Sequence, residues 1–351
     1  MKILVVGPTE PFGGGITHHT SNLAEAFSKN HSVRLLGWYR QYPKPFYNGL
    51  ASAEKSEIRL LSYRNPLTWI AAGRAARDYD KVVMPWTTPF HILTYLTIGM
   101  LTGFSKLSVH VHNVRPHERF PAWKTLTRFF FRRDVKLVCH AKYLATQIEA
   151  LDPTTIPLVV PHPPNLLLKP GKPSSPPLIV FFGYIRPYKG IDTFLATAAA
   201  CKDQDLDYRF LIAGQPWGDQ ATLIKKRIEE LDLKATVETR LGYVSDEETE
   251  LIFNRASILL APYKQATQSG VIPLAFSAGV VPITTDVGGL GEIIETGHNG
   301  DLLSSQASAN DYLQALNRVL KNFERYREAS LASASTWDSI TPSYLDDNVL
   351  G

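Results

Sequence analysis

Short runs of continuous apolar, mostly β-branched residues alternate along this chain with segments of helical period. Residues 3–6 (ILVV) precede a helical pattern over about 17–28, and further runs follow at 32–36, 81–84, 107–112 and 136–139. A second series starts at 178–182 (LIVFF) and continues at 208–213, 235–238, 258–261 and 281–284. Strands that are apolar throughout belong to a parallel sheet buried on both faces, and the intervening helices supply the cover. Between the two series, residues 161–177 hold seven prolines in 17 positions. Proline lacks a donor for a ladder and stiffens its neighbours, so this stretch predicts a semi-rigid linker. The pattern predicts an α/β protein with two doubly wound parallel-sheet domains, 1–164 and 178–335, joined through 165–177 and facing across a cleft.

Composition narrows the class. The 351 residues are 44% hydrophobic and 20% charged, which excludes a disordered, collagenous or coiled-coil chain. Two cysteines, Cys139 and Cys201, cannot build a disulfide framework, as expected of a cytoplasmic, reducing compartment. Residues 1–7 read as a buried strand rather than a signal peptide. The longest apolar stretch, 91–103, is interrupted by Thr94, Thr97 and Thr102 and falls short of the roughly 20 residues a membrane span needs. The net charge of +4 hides a split. Residues 1–165 carry 20 Lys+Arg against 10 Asp+Glu, whereas 166–351 carry 17 against 23. Nine of the ten histidines also lie in the first part. Different partners for the two domains are expected. No nucleic-acid partner is expected, because the basic residues are not interleaved with a known binding motif.

In open α/β sheets, ligands bind beyond the carboxyl ends of the strands. The two D-x-D triplets, Asp78/Asp80 and Asp205/Asp207, fail this test because each immediately precedes a strand. No Cys/His set has metal-ligand spacing along the chain, so no metal is expected. Four loops pass. Gly13, Gly14 and Gly15 follow the first strand and open a helix, where backbone N–H groups can meet an anion. The loop is not a G-x-G-x-x-G dinucleotide fingerprint. Residues 183–190 (GYIRPYKG), from Gly183 onward, bring Arg186 and Lys189 off a strand end together, a planar fork and a mobile point charge suited to a diphosphate. In 266–279, Gln268, Ser269 and Gly270 stand before a helix expected near Ile272, offering an amide, a hydroxyl and free N–H groups to sugar hydroxyls or phosphate. The fourth, 287–292 (VGGLGE), is a turn after the next strand, and shaping the loop is an alternative role for its glycines. His110 and His112 end a first-half strand on one face, and His112 is nearer the carboxyl end.

The order of these motifs resembles the retaining, GT-B-fold family 4 glycosyltransferases over nearly the whole chain. The matching stretches are the glycine loop at 13–15, His112-Asn113 where the family usually has His-Asp, and FFGYIRPYKG at 181–190. Others are IAG at 212–214, LGYVSDEE at 241–248, the run at 277–294 and a terminal segment from Trp337 to Tyr344. The resemblance implies that Arg186 and Lys189 neutralise the leaving diphosphate of a nucleotide sugar, expected to be UDP-linked. It implies that Gly14 and Gly15 pack against that diphosphate or the acceptor, and that His112 bonds the donor sugar near its anomeric centre. Tyr243 and Val244 would frame the base, and the amides of Ser269–Val271, with Gly270 between them, would hold sugar hydroxyls and phosphate. Residues 336–351 would return to the first domain. No cofactor and no metal are implied. One departure stands out: the family usually has two glutamates eight apart here, and their slots hold Ala266 and Leu274, which leaves Gln268 as the candidate sugar contact.

The acceptor side is read from charge. Residues 123–133 (WKTLTRFFFRR) place Lys124, Arg128 and Arg132 on one helical stripe beside Trp123, Leu126 and Phe130. This pattern predicts an interfacial helix on an anionic membrane surface, and hence a lipid-linked or other saccharide acceptor in polysaccharide or glycoconjugate assembly. Two alternatives are a nucleotide-sugar epimerase, which would need carboxylates that 251–285 lacks, and a degenerate sugar-nucleotide-binding regulatory partner.

Overall fold

The computed structural model describes residues 1–10, 12, 15–42, 58–116 and 120–345. These form two compact units: the described parts of Met1–Asn165 with Trp337–Gly351, and Leu166–Thr336. In the first, the chain runs β1 (Lys2–Gly7), α1 (Gly15–Ser28), β2 (Ser32–Arg40), β3 (Arg59–Ser62), α2 (Pro66–Ala76), β4 (Lys81–Trp86) and α3 (Ile92–Thr102). It continues through β5 (Leu107–Val111), α4 (Trp123–Phe131), β6 (Lys136–Cys139), α5 (Lys142–Leu151) and β7 (Leu158–Val159). The second holds β8 (Leu178–Phe182), α6 (Ile191–Asp203), β9 (Arg209–Gly214), α7 (Gln220–Glu230), β10 (Val237–Leu241), α8 (Asp246–Arg255) and β11 (Ala256–Ala261). It ends with α9 (Val271–Ala278), β12 (Val281–Thr285), β13 (Asp301–Leu303), α10 (Ala309–Lys321) and α11 (Phe323–Ala332). The last helix, α12 (Trp337–Leu345), belongs to the first unit.

Both sheets have one topology. The first is ordered β3-β2-β1-β4-β5-β6-β7 and the second β10-β9-β8-β11-β12-β13, with every described pairing parallel. The strand order reverses between β1 and β4 and again between β8 and β11, where a doubly wound sheet opens a crevice at its carboxyl edge. Side-chain alternation explains the apolar runs. Along β1, Leu4 and Val6 join one core cluster while Ile3 and Val5 join another on the opposite face. Along β8, Ile179 and Phe181 face one core, and Leu178 and Val180 the other.

Three features differ from the sequence reading. Residues 166–177 are bound into the second unit: Leu168 is buried and its N–H donates to Ser277 Oγ at 3.2 Å, and Gly171 packs against Asn254. Strands β3, β7 and β13 are short additions whose few residues carry too little pattern to be seen alone. In α4, Phe130 and Phe131 are core residues, with Phe130 stacked on Trp86 at 5.1 Å between ring centres. Arg132 reaches the buried Asp152 carboxylate at 2.9 Å, and Arg128 approaches it at 4.0 Å. Of the three phenylalanines only Phe129 is exposed, under the Arg133 guanidinium. The predicted interfacial face is therefore mostly a packing face with a basic edge. Among the described residues no helix is long and apolar enough to cross a membrane.

Because Phe130 is fully enclosed against Trp86, Phe131 and Tyr95, its removal leaves a cavity. We expect Phe130→Ala to cost about 3–5 kcal/mol in urea unfolding. A loss below about 1 kcal/mol would show that the ring is not part of the core.

Candidate functional site

The carboxyl edge of the second sheet gathers most of the candidate residues. The chain leaves β8 at Gly183, whose N–H donates to Ala213 O at 3.0 Å, and returns through a single 3-10 turn, Pro187–Lys189, into α6. Gly190 caps that helix at φ +75, and a Cβ there would meet the Pro262 carbonyl. Glycine is what lets the β8 loop lie against the loop after β11. The consequence is local convergence. Lys189 Nζ and Val271 Cγ2 both lie 3.5 Å from where a Gly183 Cβ would sit. Lys189 Nζ stands 5.2 Å over the ring of buried Tyr263, whose hydroxyl lies 3.5 Å from Ser269 Oγ. Arg186 stacks on Trp217 at 4.6 Å, on the loop that follows β9.

Arg186 and Lys189 are half-buried, and among the described residues neither has a carboxylate or a side-chain hydrogen-bond partner. Near Lys189, α9 follows Gly270, which provides no side-chain cap, and its first amide, Val271 N, donates to Ser269 Oγ at 3.3 Å. An uncompensated cation near a helix N-terminus, as Lys189 is here, suits an anion. Gln268 is half-buried, and its Nε2 has no partner among the described residues, so an amide donor is open there. Of the two slots where glutamates were expected, Ala266 lies half-buried in the loop and Leu274 is packed in the core of α9. A carboxylate at 274 would have to be buried among apolar side chains.

Tyr243 and Val244 follow β10 on the adjacent loop, Tyr243 exposed and Val244 half-buried. Gly242 N donates to Gly214 O at 2.9 Å, tying this loop to the one after β9. Arg240 fixes it further by bonding Tyr243 O at 3.1 Å while gripping Glu248 with two nitrogens at 2.8 and 2.9 Å. Tyr263 and Trp217 were missed by sequence reasoning. The only signal was an aromatic residue just past a strand end.

The remaining candidates belong to the first unit. Gly15 is the exposed first residue of α1, and Gly14 lies outside the described residues. His112 follows β5, its backbone N–H donating to Trp86 O at 2.9 Å. Around it the carboxyl edge of the first sheet collects a group that spacing along the chain could not reveal. His19 from α1, His110 from β5, His140 after β6 and His162 after β7 have ring centres 4.8–6.5 Å from His112 or from one another. Trp337 of α12 stands 5.2 Å from His19 and donates from its indole N–H to Pro164 O at 2.9 Å. Burial, then mutual repulsion among the rings, holds His19, His112 and His140 well below the ordinary histidine range, and burial, with a further push from Lys136, takes His110 to about 3. The D-x-D triplets sit at the opposite edge: Asp80 accepts the Lys2 N–H at 2.7 Å ahead of β4, and Asp205 and Asp207 precede β9.

Comparison with known proteins follows the same division. Residues 176–322 match the family described as Glycosyl transferases group 1. An uncharacterised glycosyltransferase of Methanocaldococcus jannaschii is 26% identical over 92% of this chain and 90% of its own. Sucrose-phosphate synthase from Thermosynechococcus elongatus superposes with a TM-score of 0.77 at 16% identity, covering 97% of this chain and 96% of that one. Anabaena HepE, solved in complex with UDP and glucose, gives 0.70 at 15% identity over 99% and 96%. At these identities the structural likeness establishes the fold, which is GT-B.

Gly190 and Gly218 both hold positive φ, but a Cβ on Gly218 meets nothing within 4 Å. Gly218→Ala should therefore cost about 1–2 kcal/mol from backbone strain alone. Gly190→Ala should cost distinctly more, because the Pro262 carbonyl must also move. Equal losses in thermal unfolding would contradict the packing of these two loops.

Proposed function

We propose, from a chain that belongs to the group 1 glycosyltransferases, that it moves a sugar from a nucleotide-diphosphate donor, UDP-linked, to a saccharide acceptor with retention at the anomeric carbon. One observation carries this reading: among the described residues Arg186 and Lys189 stand half-buried without a carboxylate partner on the turn after β8, with Lys189 close to the start of α9. A leaving diphosphate gains negative charge as the glycosidic bond breaks. Fixed positive groups aimed at that charge lower the barrier without reorganising at the moment of reaction. Arg186 is held by stacking on Trp217 and Lys189 by Tyr263, so both are placed before the donor arrives. These side chains supply the charge that a metal ion supplies in other transferases, so donor binding is proposed to be metal-independent.

The other residues take the roles their positions suit. Ser269, Gly270 and Val271 present the start of α9 to phosphate and sugar hydroxyls, and Gln268 offers its open amide to the donor sugar. Tyr243 and Val244 flank the base, and Gly183 leaves room beside Lys189. His112 keeps the role given by the family resemblance, a hydrogen bond to the sugar. UDP with glucose in Anabaena HepE supports a UDP-linked donor here. The acceptor is proposed to be a saccharide, free or lipid-linked. Contact of 123–133 with an anionic membrane would rest on Phe129 and the basic edge alone, because Phe130 and Phe131 are internal. The apolar slots Ala266 and Leu274 favour a second reading, a binding partner without turnover, which release of UDP from donor plus acceptor would exclude.

Lys189→Ala should lower the rate of UDP release by about 100-fold or more while leaving the melting transition intact. Turnover near that of the unmodified protein would remove Lys189 from the site. Gln268→Ala should blunt discrimination between donor sugars more than it weakens UDP binding. The reverse order would place Gln268 on the nucleotide instead.

A further inference from the structure

We propose that His19, His112 and His140 of the first unit form a trihistidine site for a single Zn2+ ion. The three come from α1, the end of β5 and the loop after β6, and their ligand nitrogens all lie within 4.8 Å of one another. Among the described residues His19 Nδ1 and Nε2, His112 Nε2 and His140 Nε2 are buried with no hydrogen-bond partner. Orphaned buried nitrogens are costly, and here one from each ring lies close enough to the others to share a single ion after a small adjustment.

Ring geometry fits one ion. With Zn–N of about 2.0–2.1 Å, an imidazole centre sits about 3.2 Å from the metal, so tetrahedral neighbours have ring centres about 5.2 Å apart. The observed separations are 4.8, 5.0 and 5.2 Å for His19–His112, His19–His140 and His112–His140. Nitrogens in such a shell stand about 3.4 Å apart, so the set closes by about 1.4 Å on binding, through soft χ2 rotations. His140 already shows the outer hydrogen bond of a metal-bound imidazole: its Nδ1 pairs with Val160 O at 3.0 Å, leaving Nε2 to coordinate.

Ligand chemistry selects the ion. Three neutral imidazoles without a carboxylate suit Zn2+ and disfavour the oxygen-seeking Mg2+ and Ca2+. A water completes the shell. Coordination through His112 Nε2 would fix the proton on Nδ1, making that nitrogen a dedicated donor.

The test uses the full chain, stripped with chelator and titrated with Zn2+ at pH 7.5 by calorimetry. We expect one ion per chain with a Kd of about 1 μM or tighter, a higher melting temperature with Zn2+, and no binding of Mg2+. His19→Asn and His140→Asn should each weaken binding by about 100-fold or more. Anomalous scattering at the zinc edge from crystals of the unmodified protein locates the ion even if a variant fails to fold. Absence of saturable binding by the unmodified protein, binding unchanged in both variants, or an ion away from the three rings would overturn the proposal. None of these readouts depends on glycosyl transfer, so the site stands or falls separately from the donor assignment.

Discussion

A half-buried cation without a counter-charge favours an arriving anion, and the second unit holds two of them on one turn, Arg186 and Lys189. Arg186 and Lys189 are positioned by aromatic faces rather than by carboxylates, which keeps their charge uncancelled. An internal carboxylate partner would neutralise the site before substrate could. The loop 262–270 carries the same consequence: it has no acidic residue, and its Tyr263 lies under Lys189. Backbone dipoles at the start of α9 add to the same field.

The repeated sheet order explains where this chemistry sits. Parallel strands all end at one edge, and in each unit the order reverses next to the first strand of that unit. The second sheet uses its edge for cations and open amides. The first uses its edge for imidazoles, which burial keeps neutral. The two units share a topology and differ in the charge state of what they present.

Much of the fold was legible because buried parallel strands are apolar on both faces, as 3–6 and 178–182 are. The carboxyl-edge rule put residues 183–190 and His112 at strand ends and the D-x-D triplets at strand starts for the same reason, since it depends only on chain direction. Strand β10 runs on to Leu241, past the 235–238 read from the pattern, because its exposed Glu238 and Thr239 break the apolar run. The proline-rich stretch looked like a free linker, but Leu168 and Gly171 give it a buried anchor and a close backbone contact that composition does not encode. The phenylalanines of α4 show the same limit: period identifies a face, not what covers it. Above all, the histidine cluster draws on four separate elements, and no spacing along the chain announces it.

The central claim is that Arg186 and Lys189 hold a donor pyrophosphate against the start of α9. A crystal structure with UDP bound tests it most directly. The account predicts phosphate oxygens within hydrogen-bond reach of both side chains and of the amides at 269–271. A nucleotide bound elsewhere, with positions 186 and 189 left facing solvent, would contradict it.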